Sequence, residues 1–144
     1  MGRPVVGVVA HRVDRSRDGR NGPQRPFAGC YPPAVDAWEL DELEADRRAA
    51  GRLYHEFLSV PDLSAGLYVL EAGATDPQSP HTEDELYYVI EGRARVTVGD
   101  DVRDVMPGSV VFVAAHVPHR FHDITEDLTL FVVFGPAEGS RAAG

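Results

Sequence analysis

Four of the six histidines lie between positions 81 and 122, and this stretch carries the residues best suited to bind a metal. His81 and Glu85 are four residues apart, the first in a loop and the second at the start of an expected strand. Even spacing in an extended chain places side chains on one face, so we expect His81, Glu83 and Glu85 to point the same way. His119 opens a later strand directly after Pro118. Two histidines with one carboxylate suit a borderline divalent metal and form the facial triad of non-haem iron sites.

The remaining histidines are weaker candidates. In a regular strand His122 points away from the face that His119 shares with Phe121. His116 lies in the loop before Pro118, where alternation predicts nothing. A histidine alone in a strand, such as His55, is more often a core or surface residue than a ligand.

Local sequence patterns predict the elements that position these residues. Residues 1–36 mix Gly, Pro, Arg and Asn without periodicity, which predicts a flexible N-terminal tail. Residues 36–50 place acids before Arg47 and Arg48, with Gly51 as a stop, which predicts a short helix. After Gly51, short runs of β-branched and aromatic residues separated by turn signals predict strands. These strands span 53–60, 65–71, 85–91, 93–98, 102–106, 109–113, 119–123 and 128–134.

The connections between these strands are too short for crossover helices, so the strands must pair largely antiparallel. An all-β sandwich or barrel follows. The alternation in 93–98 is clean, with Ala94 and Val96 on one face. Tyr68, Tyr87 and Tyr88 lie in expected strands, where aromatic residues usually belong to the core and can also line a pocket.

Composition restricts the partners and the compartment. The net charge is -9 and the chain has no lysine; beyond residue 26 it carries eight arginines against 21 acids. Nucleic acids and anionic membranes both attract cationic surfaces, so neither is an expected partner. Cys30 is the only cysteine, which excludes an intrachain disulfide and fits a reducing, cytoplasmic location. No run approaches the about 20 apolar residues of a membrane span.

The spacing of the candidate ligands resembles the first motif of the cupin family. That motif reads His, one residue, His, three or four residues, Glu, six residues, Gly. Here Ser79, His81, Glu85 and Gly92 stand at these positions, and all but the first match. The resemblance covers about residues 52–136.

The second cupin motif reads Pro, one residue, Gly, two residues, His, three residues, Asn. Here Ala114, His116, His119 and Asp123 stand at these positions, and Pro107-Gly108 further upstream is also similar to the family. The resemblance implies a small single-domain cupin spanning 37–144, with a cupin-type antiparallel β-barrel, the double-stranded β-helix or jelly roll. A short N-terminal helix and the tail precede the barrel.

Two departures from the family pattern affect the expected site. A typical cupin metal site has three histidines and one glutamate, but Ser79 replaces the first histidine. That position is left to water, Gln78, Glu83 or the substrate, and an open three-ligand site favours catalysis over a closed structural role. His116 stands in the family's Gly position, where it is a replacement ligand, a proton donor or a surface substitution.

The resemblance and the ligand set together predict a metal-dependent small-molecule enzyme, with a dioxygenase first among the reactions. His81, Glu85 and His119 are the expected ligands of one divalent transition metal, Fe(II) before Mn, Ni or Zn. His116 or Glu83 is the expected acid or base. The alternatives are a metal-dependent isomerase or lyase, a non-catalytic sensor or accessory cupin with or without metal, and a cofactor-free epimerase. Cupins commonly form homodimers, so a homodimer is expected.

Overall fold

A computed structural model describes residues 35–142, and in this range it contains one helix and six strands. The all-β class with a short N-terminal helix is therefore confirmed. All but the last two residues of the predicted tail, together with His11 and Cys30, lie outside the described residues. The elements are α1 (Leu40–Ala50), β1 (Tyr54–Val60), β2 (Leu63–Leu70), β3 (Asp84–Val98), β4 (Asp101–Val105), β5 (Val110–Val113) and β6 (His119–Gly135).

The chain groups into two units, residues 1–42 and 43–144. In the described part of the first unit, residues 35–39 precede the start of α1. The helix begins four residues later than predicted; acids occupy its first turn and arginines its last. It ends at Gly51, whose φ of 63° gives the left-handed conformation that stops helices. No helix among residues 35–142 is long and apolar enough to cross a membrane.

Strands β3 and β6 form the centre of the sheet. They pair antiparallel with each other over nearly their whole lengths. On its other edge, β3 pairs with β5 through its first half and with β4 through its second half. The order across the sheet is β1-β2-β6-β3-β4. All strand pairs are antiparallel, as predicted.

The sequence patterns placed four strands where the structure has β3 and β6. The predicted breaks at Glu91-Gly92 and at residues 125–127 are wrong, because both strands continue through them. The register of the β3–β6 pair shifts between Val89 and Arg95. Gly92, with a φ of 93°, lets β3 bend there without leaving the sheet.

These irregularities change which residues of each strand face inward. In β3, Glu85, Tyr87 and Val89 are buried, and after the bend the buried positions are Ala94 and Val96. A similar change follows Asp123 in β6, whose φ is 47°. Inward residues from five strands form the core: Tyr68, Leu70, Tyr87, Val89, Ala94, Val96, Val105, Val113, Phe121, Ile124, Leu128, Leu130, Val132 and Phe134.

Alanine at Gly92 is expected to destabilise the protein more than alanine at Gly108. Both glycines have φ near 92°, so each variant strains the backbone by about 1–2 kcal/mol. A Cβ at Gly92 would also lie 2.7 Å from Leu128 Cα, whereas nothing lies within 4 Å of a Cβ at Gly108. We expect Gly92→Ala to lose about 2 kcal/mol more than Gly108→Ala in urea unfolding. Equal losses of stability in the two variants would show that the β6 backbone moves enough to accommodate a methyl group at position 92.

Candidate metal centre

His81, Glu85 and His119 meet inside the barrel. Each offers a ligand atom, and these atoms all lie within 4.8 Å of one another. His119 Nε2 is 3.0 Å from Glu85 Oε2, and His81 Nε2 is 3.7 Å from the same oxygen. The side chains of Glu85 and His119 are each 1% exposed, and that of His81 is 20% exposed. The three residues predicted from spacing are thus brought together at a partly accessible site.

Backbone hydrogen bonds hold the two loops that carry the histidines. The amide of His116 donates to the carbonyl of His81 at 2.7 Å. The amide of Ala115 donates to the Asp84 carboxylate at 2.9 Å. The loop before β6 is therefore tied to the loop before β3, which fixes the distance between the two imidazoles.

The hydrogen bond at Nδ1 determines which nitrogen of His119 faces the cluster. Nδ1 lies 2.9 Å from the carbonyl oxygen of Val117, an acceptor, so Nδ1 carries a hydrogen and Nε2 faces Glu85. Burial lowers the pKa of His119, but the bonds to Glu85 and to the Val117 carbonyl outweigh it, and the pKa is raised. A proton therefore competes with a metal for this nitrogen.

The donor atoms of the cluster fit a divalent transition metal. His81 Nε2 and Glu85 Oε2 are buried, and neither has a hydrogen-bond partner apart from the 3.0 Å contact between Glu85 Oε2 and His119 Nε2. Buried polar atoms are nearly always satisfied by a partner, and a metal ion between these two atoms would satisfy both. Two imidazoles and one carboxylate are donors that Fe, Mn, Ni and Zn accept. The cluster could therefore hold a metal ion.

A cavity of about 250 Å³ opens beside the cluster. This is below the roughly 300–1,000 Å³ typical of ligand pockets, so it suits a small molecule. The ring of Tyr54 forms part of the wall and lies over Gly66, where any Cβ would overlap it. The lining is otherwise mainly apolar: Leu53, Tyr68, Pro77, Gln78, His81, Glu85, Val132, Phe134 and Glu138.

Two carboxylates give the site an acidic character. Glu138 Oε1 lies 3.7 Å from Nδ1 of His81, on the side opposite Glu85. Burial and the neighbouring carboxylates, with Glu56 and Glu85 first among them, raise the pKa of Glu138. Concentrated negative charge of this kind favours a bound cation.

A buried hydrogen-bond network adjoins the cluster. The Asp76 carboxylate accepts bonds from the Tyr68 hydroxyl at 2.7 Å and from the Phe121 amide at 2.8 Å. It also accepts a bond from the Gln78 side-chain amide at 2.7 Å. The Tyr87 hydroxyl donates to Gln78 Oε1 at 2.6 Å and lies 3.0 Å from His119 Nε2. Burial, then the Glu85 charge, raises the pKa of Tyr87, so the hydroxyl keeps its proton at neutral pH.

The structure places the two expected acid–base residues away from this cavity. Glu83 lies in a bend before β3, where strand alternation does not apply, and it is not part of the described ligand cluster. Its buried carboxylate accepts bonds from the Thr82 hydroxyl at 2.6 Å and the Arg141 amide at 2.9 Å. His116 is exposed, has a φ of 67°, and does not line the cavity. Their acid–base roles stay predictions.

The other residues considered from the sequence differ in their position relative to the cavity and the ligand cluster. Ser79 is exposed and does not line the cavity, whereas its neighbour Gln78 does. His122 faces away from the cluster, as predicted, and bonds Thr97 at 2.8 Å. Asp76 and Glu138 were missed by sequence reasoning, because both lie in irregular segments where alternation gives no signal.

Comparison with known proteins agrees with this architecture. The family described as Cupin domain matches residues 66–134. An uncharacterized protein of Streptomyces coelicolor is 53% identical over 104 residues, which cover 72% of this chain and 99% of that protein. KdgF from Halomonas is 22% identical with a TM-score of 0.55, over 61% of this chain and 81% of that one. An RmlC-like cupin from Shewanella frigidimarina is 25% identical with a TM-score of 0.53, over 58% and 75%.

The Glu83→Gln variant tests the structural contacts of this carboxylate. Burial alone would raise the pKa of Glu83, but bonds from Thr82 and the Arg141 and Gly139 amides outweigh it and lower the pKa. A lowered pKa means that the ionised form stabilises the fold above its unfolded pKa, and that this stability is lost as pH falls through the folded value. We expect the variant to lose about 1–3 kcal/mol at pH 7 and clearly less at pH 3, by urea unfolding. A loss independent of pH would contradict this.

Proposed function

Because the chain belongs to the cupin superfamily, we propose that it is a metal-dependent enzyme acting on a small molecule. His81, Glu85 and His119 bind one divalent transition metal, Fe(II) in preference to Mn, Ni or Zn. The observation that supports this most directly is the convergence of three ligand atoms, two of them buried without hydrogen-bond partners outside the cluster. A metal ion beside these atoms would satisfy both the imidazole nitrogen and the carboxylate oxygen.

We favour oxygenase chemistry over isomerase or lyase chemistry for this site. Two histidines and one carboxylate leave several coordination positions open, as in non-haem oxygenases. The metal would supply Lewis acidity and, as iron, reactivity toward dioxygen. The protein's own contribution is a small, mainly apolar cavity that holds an oxygen-bearing substrate next to the cluster and limits access of water.

Metal content is the first test of this proposal. Untagged protein reconstituted anaerobically with Fe(II) should hold about one equivalent, and Glu85→Gln should hold almost none. Glu91→Gln is the matched control, because Glu91 lies on the same strand and is exposed. Elemental analysis gives the readout. Metal-free wild-type protein after reconstitution would favour the non-catalytic ligand-binding alternative.

Oxygen uptake tests the reaction class. Iron-loaded protein should consume dioxygen only with a subset of small substrates that present two adjacent oxygens, and His119→Ala should abolish the uptake. His122→Ala serves as the control, because this histidine faces away from the cluster. Substrate conversion without oxygen uptake would instead indicate an isomerase or lyase.

We also propose that the protein is a homodimer. Leu86, Tyr88, Val110 and Phe112 are 41–60% exposed, and they form directly opposed pairs on β3 and β5. A contiguous exposed apolar patch of this kind marks an interface. The other edge of β5 has no paired strand among residues 35–142. A second copy of the same patch would cover these side chains.

Charge at the patch should dissociate the dimer. We expect wild-type protein to sediment as a dimer and Phe112→Glu as a monomer at the same concentration in analytical ultracentrifugation. Val102→Glu is the control, because Val102 is 51% exposed but lies on β4. A monomeric wild type would rule out the homodimer.

We further propose a cytoplasmic location without nucleic acid or membrane partners. The excess of acids and the absence of lysine support this proposal. Failure to retard DNA or RNA on a gel at low salt, where cationic contacts are strongest, is the expected result.

A further inference from the structure

The hydroxyl of Tyr87 lies where a further metal ligand would lie. Its oxygen is 3.0 Å from His119 Nε2, the same separation as between His119 Nε2 and Glu85 Oε2. A metal with bonds of about 2.1 Å at right angles separates neighbouring ligand atoms by about 3 Å. The phenolic oxygen therefore has the spacing of a ligand atom within the cluster.

The hydrogen bonds around Tyr87 leave its lone pairs facing that cluster. An aspartate carboxylate accepts hydrogen bonds, so Gln78 turns its NH₂ group to Asp76, at 2.7 Å. The amide oxygen of Gln78 must then face Tyr87, which donates to it at 2.6 Å. Because the hydroxyl donates its proton to Gln78, the phenolic oxygen has lone pairs available to an ion beside His119 Nε2.

Asp76 keeps this arrangement rigid. It is 8% exposed and is held by the Phe121 amide on β6 and by the Tyr68 hydroxyl on β2. Two strands thus fix the acceptor that orients Gln78, and Gln78 in turn orients Tyr87. A preorganised oxygen loses less conformational entropy when it binds a metal than a mobile oxygen does.

We propose that Tyr87 provides a fourth ligand to the metal, with Gln78 and Asp76 as positioning residues. The proposal rests on the metal site of the proposed function. It also explains how an exposed Ser79 is tolerated at the position of a family histidine, because an oxygen from β3 takes over that coordination. The resulting site is two imidazoles, one carboxylate and one phenol, which favours a hard, oxygen-preferring metal such as iron.

A ferric ion makes this coordination visible. Bound Fe(III) displaces the phenol proton to the solvent, and the iron–phenolate bond absorbs visible light by charge transfer. Full-length protein loaded with one equivalent of Fe(III) should be coloured. Tyr87→Phe should lose the band and bind iron at least ten-fold more weakly. Tyr88→Phe, the adjacent residue on the outer face of β3, should keep both.

The outcomes separate this proposal from the metal site itself. A wild type that binds one iron without a charge-transfer band overturns the role of Tyr87 and leaves the three-residue site in place. A wild type that binds no iron overturns both. Gln78→Leu removes the acceptor of the Tyr87 proton and keeps the proposal testable should Tyr87→Phe fail to fold. We expect this variant to shift the band without changing iron stoichiometry, and an unchanged band would contradict the positioning role.

Discussion

The pairing of β3 with β6 is the constraint on which the rest of the structure depends. These two strands form hydrogen bonds along nearly their whole length and bend together, so that each contributes to both ends of the barrel. A strand of strict alternation could not place both Tyr87 and Ala94 inside, because they differ in parity. The register shift near Gly92 resolves this conflict. It gives the first half of β3 the phase that turns Glu85 toward the interior.

The site concentrates polar groups at one place in an otherwise apolar core. Burial of ionisable groups is unfavourable unless each is hydrogen-bonded or paired. Asp76 meets this requirement with bonds from two strands and a side-chain amide, and His119 meets it through the Val117 carbonyl and Glu85. His81 and Glu85 do not meet it fully, since His81 Nε2 has no hydrogen-bond partner and Glu85 Oε2 has none beyond its contact with His119 Nε2. The unmet hydrogen-bonding requirement thus lies where a metal ion would bind.

Local periodicity and spacing predicted the all-β class and the ligand cluster, and the resemblance to the cupin motifs implied the type of barrel. Alternation correctly placed Ala94 on the inward face of β3, and it placed His119 and His122 on opposite faces of β6. It failed where the chain is irregular, because a bend inside a continuous strand, as at Gly92 and Asp123, gives the same local signal as the end of a strand. For the same reason strand alternation predicted that Glu83 and Glu85 share a face, although the bend before β3 turns Glu83 toward the Arg141 amide. Asp76 and Glu138 reach the site only through tertiary packing, which spacing along the chain does not encode.

Gly66 has no side chain, and the ring of Tyr54 occupies the space where its Cβ would lie. The cavity wall is therefore set by a residue that contributes no atoms beyond its backbone. Any larger residue at this position would push the aromatic ring aside and reshape the chamber, while His81, Glu85 and His119 kept their places. Related proteins could thus differ in the shape of this cavity by changing one codon, without altering the His-His-Glu cluster beside it.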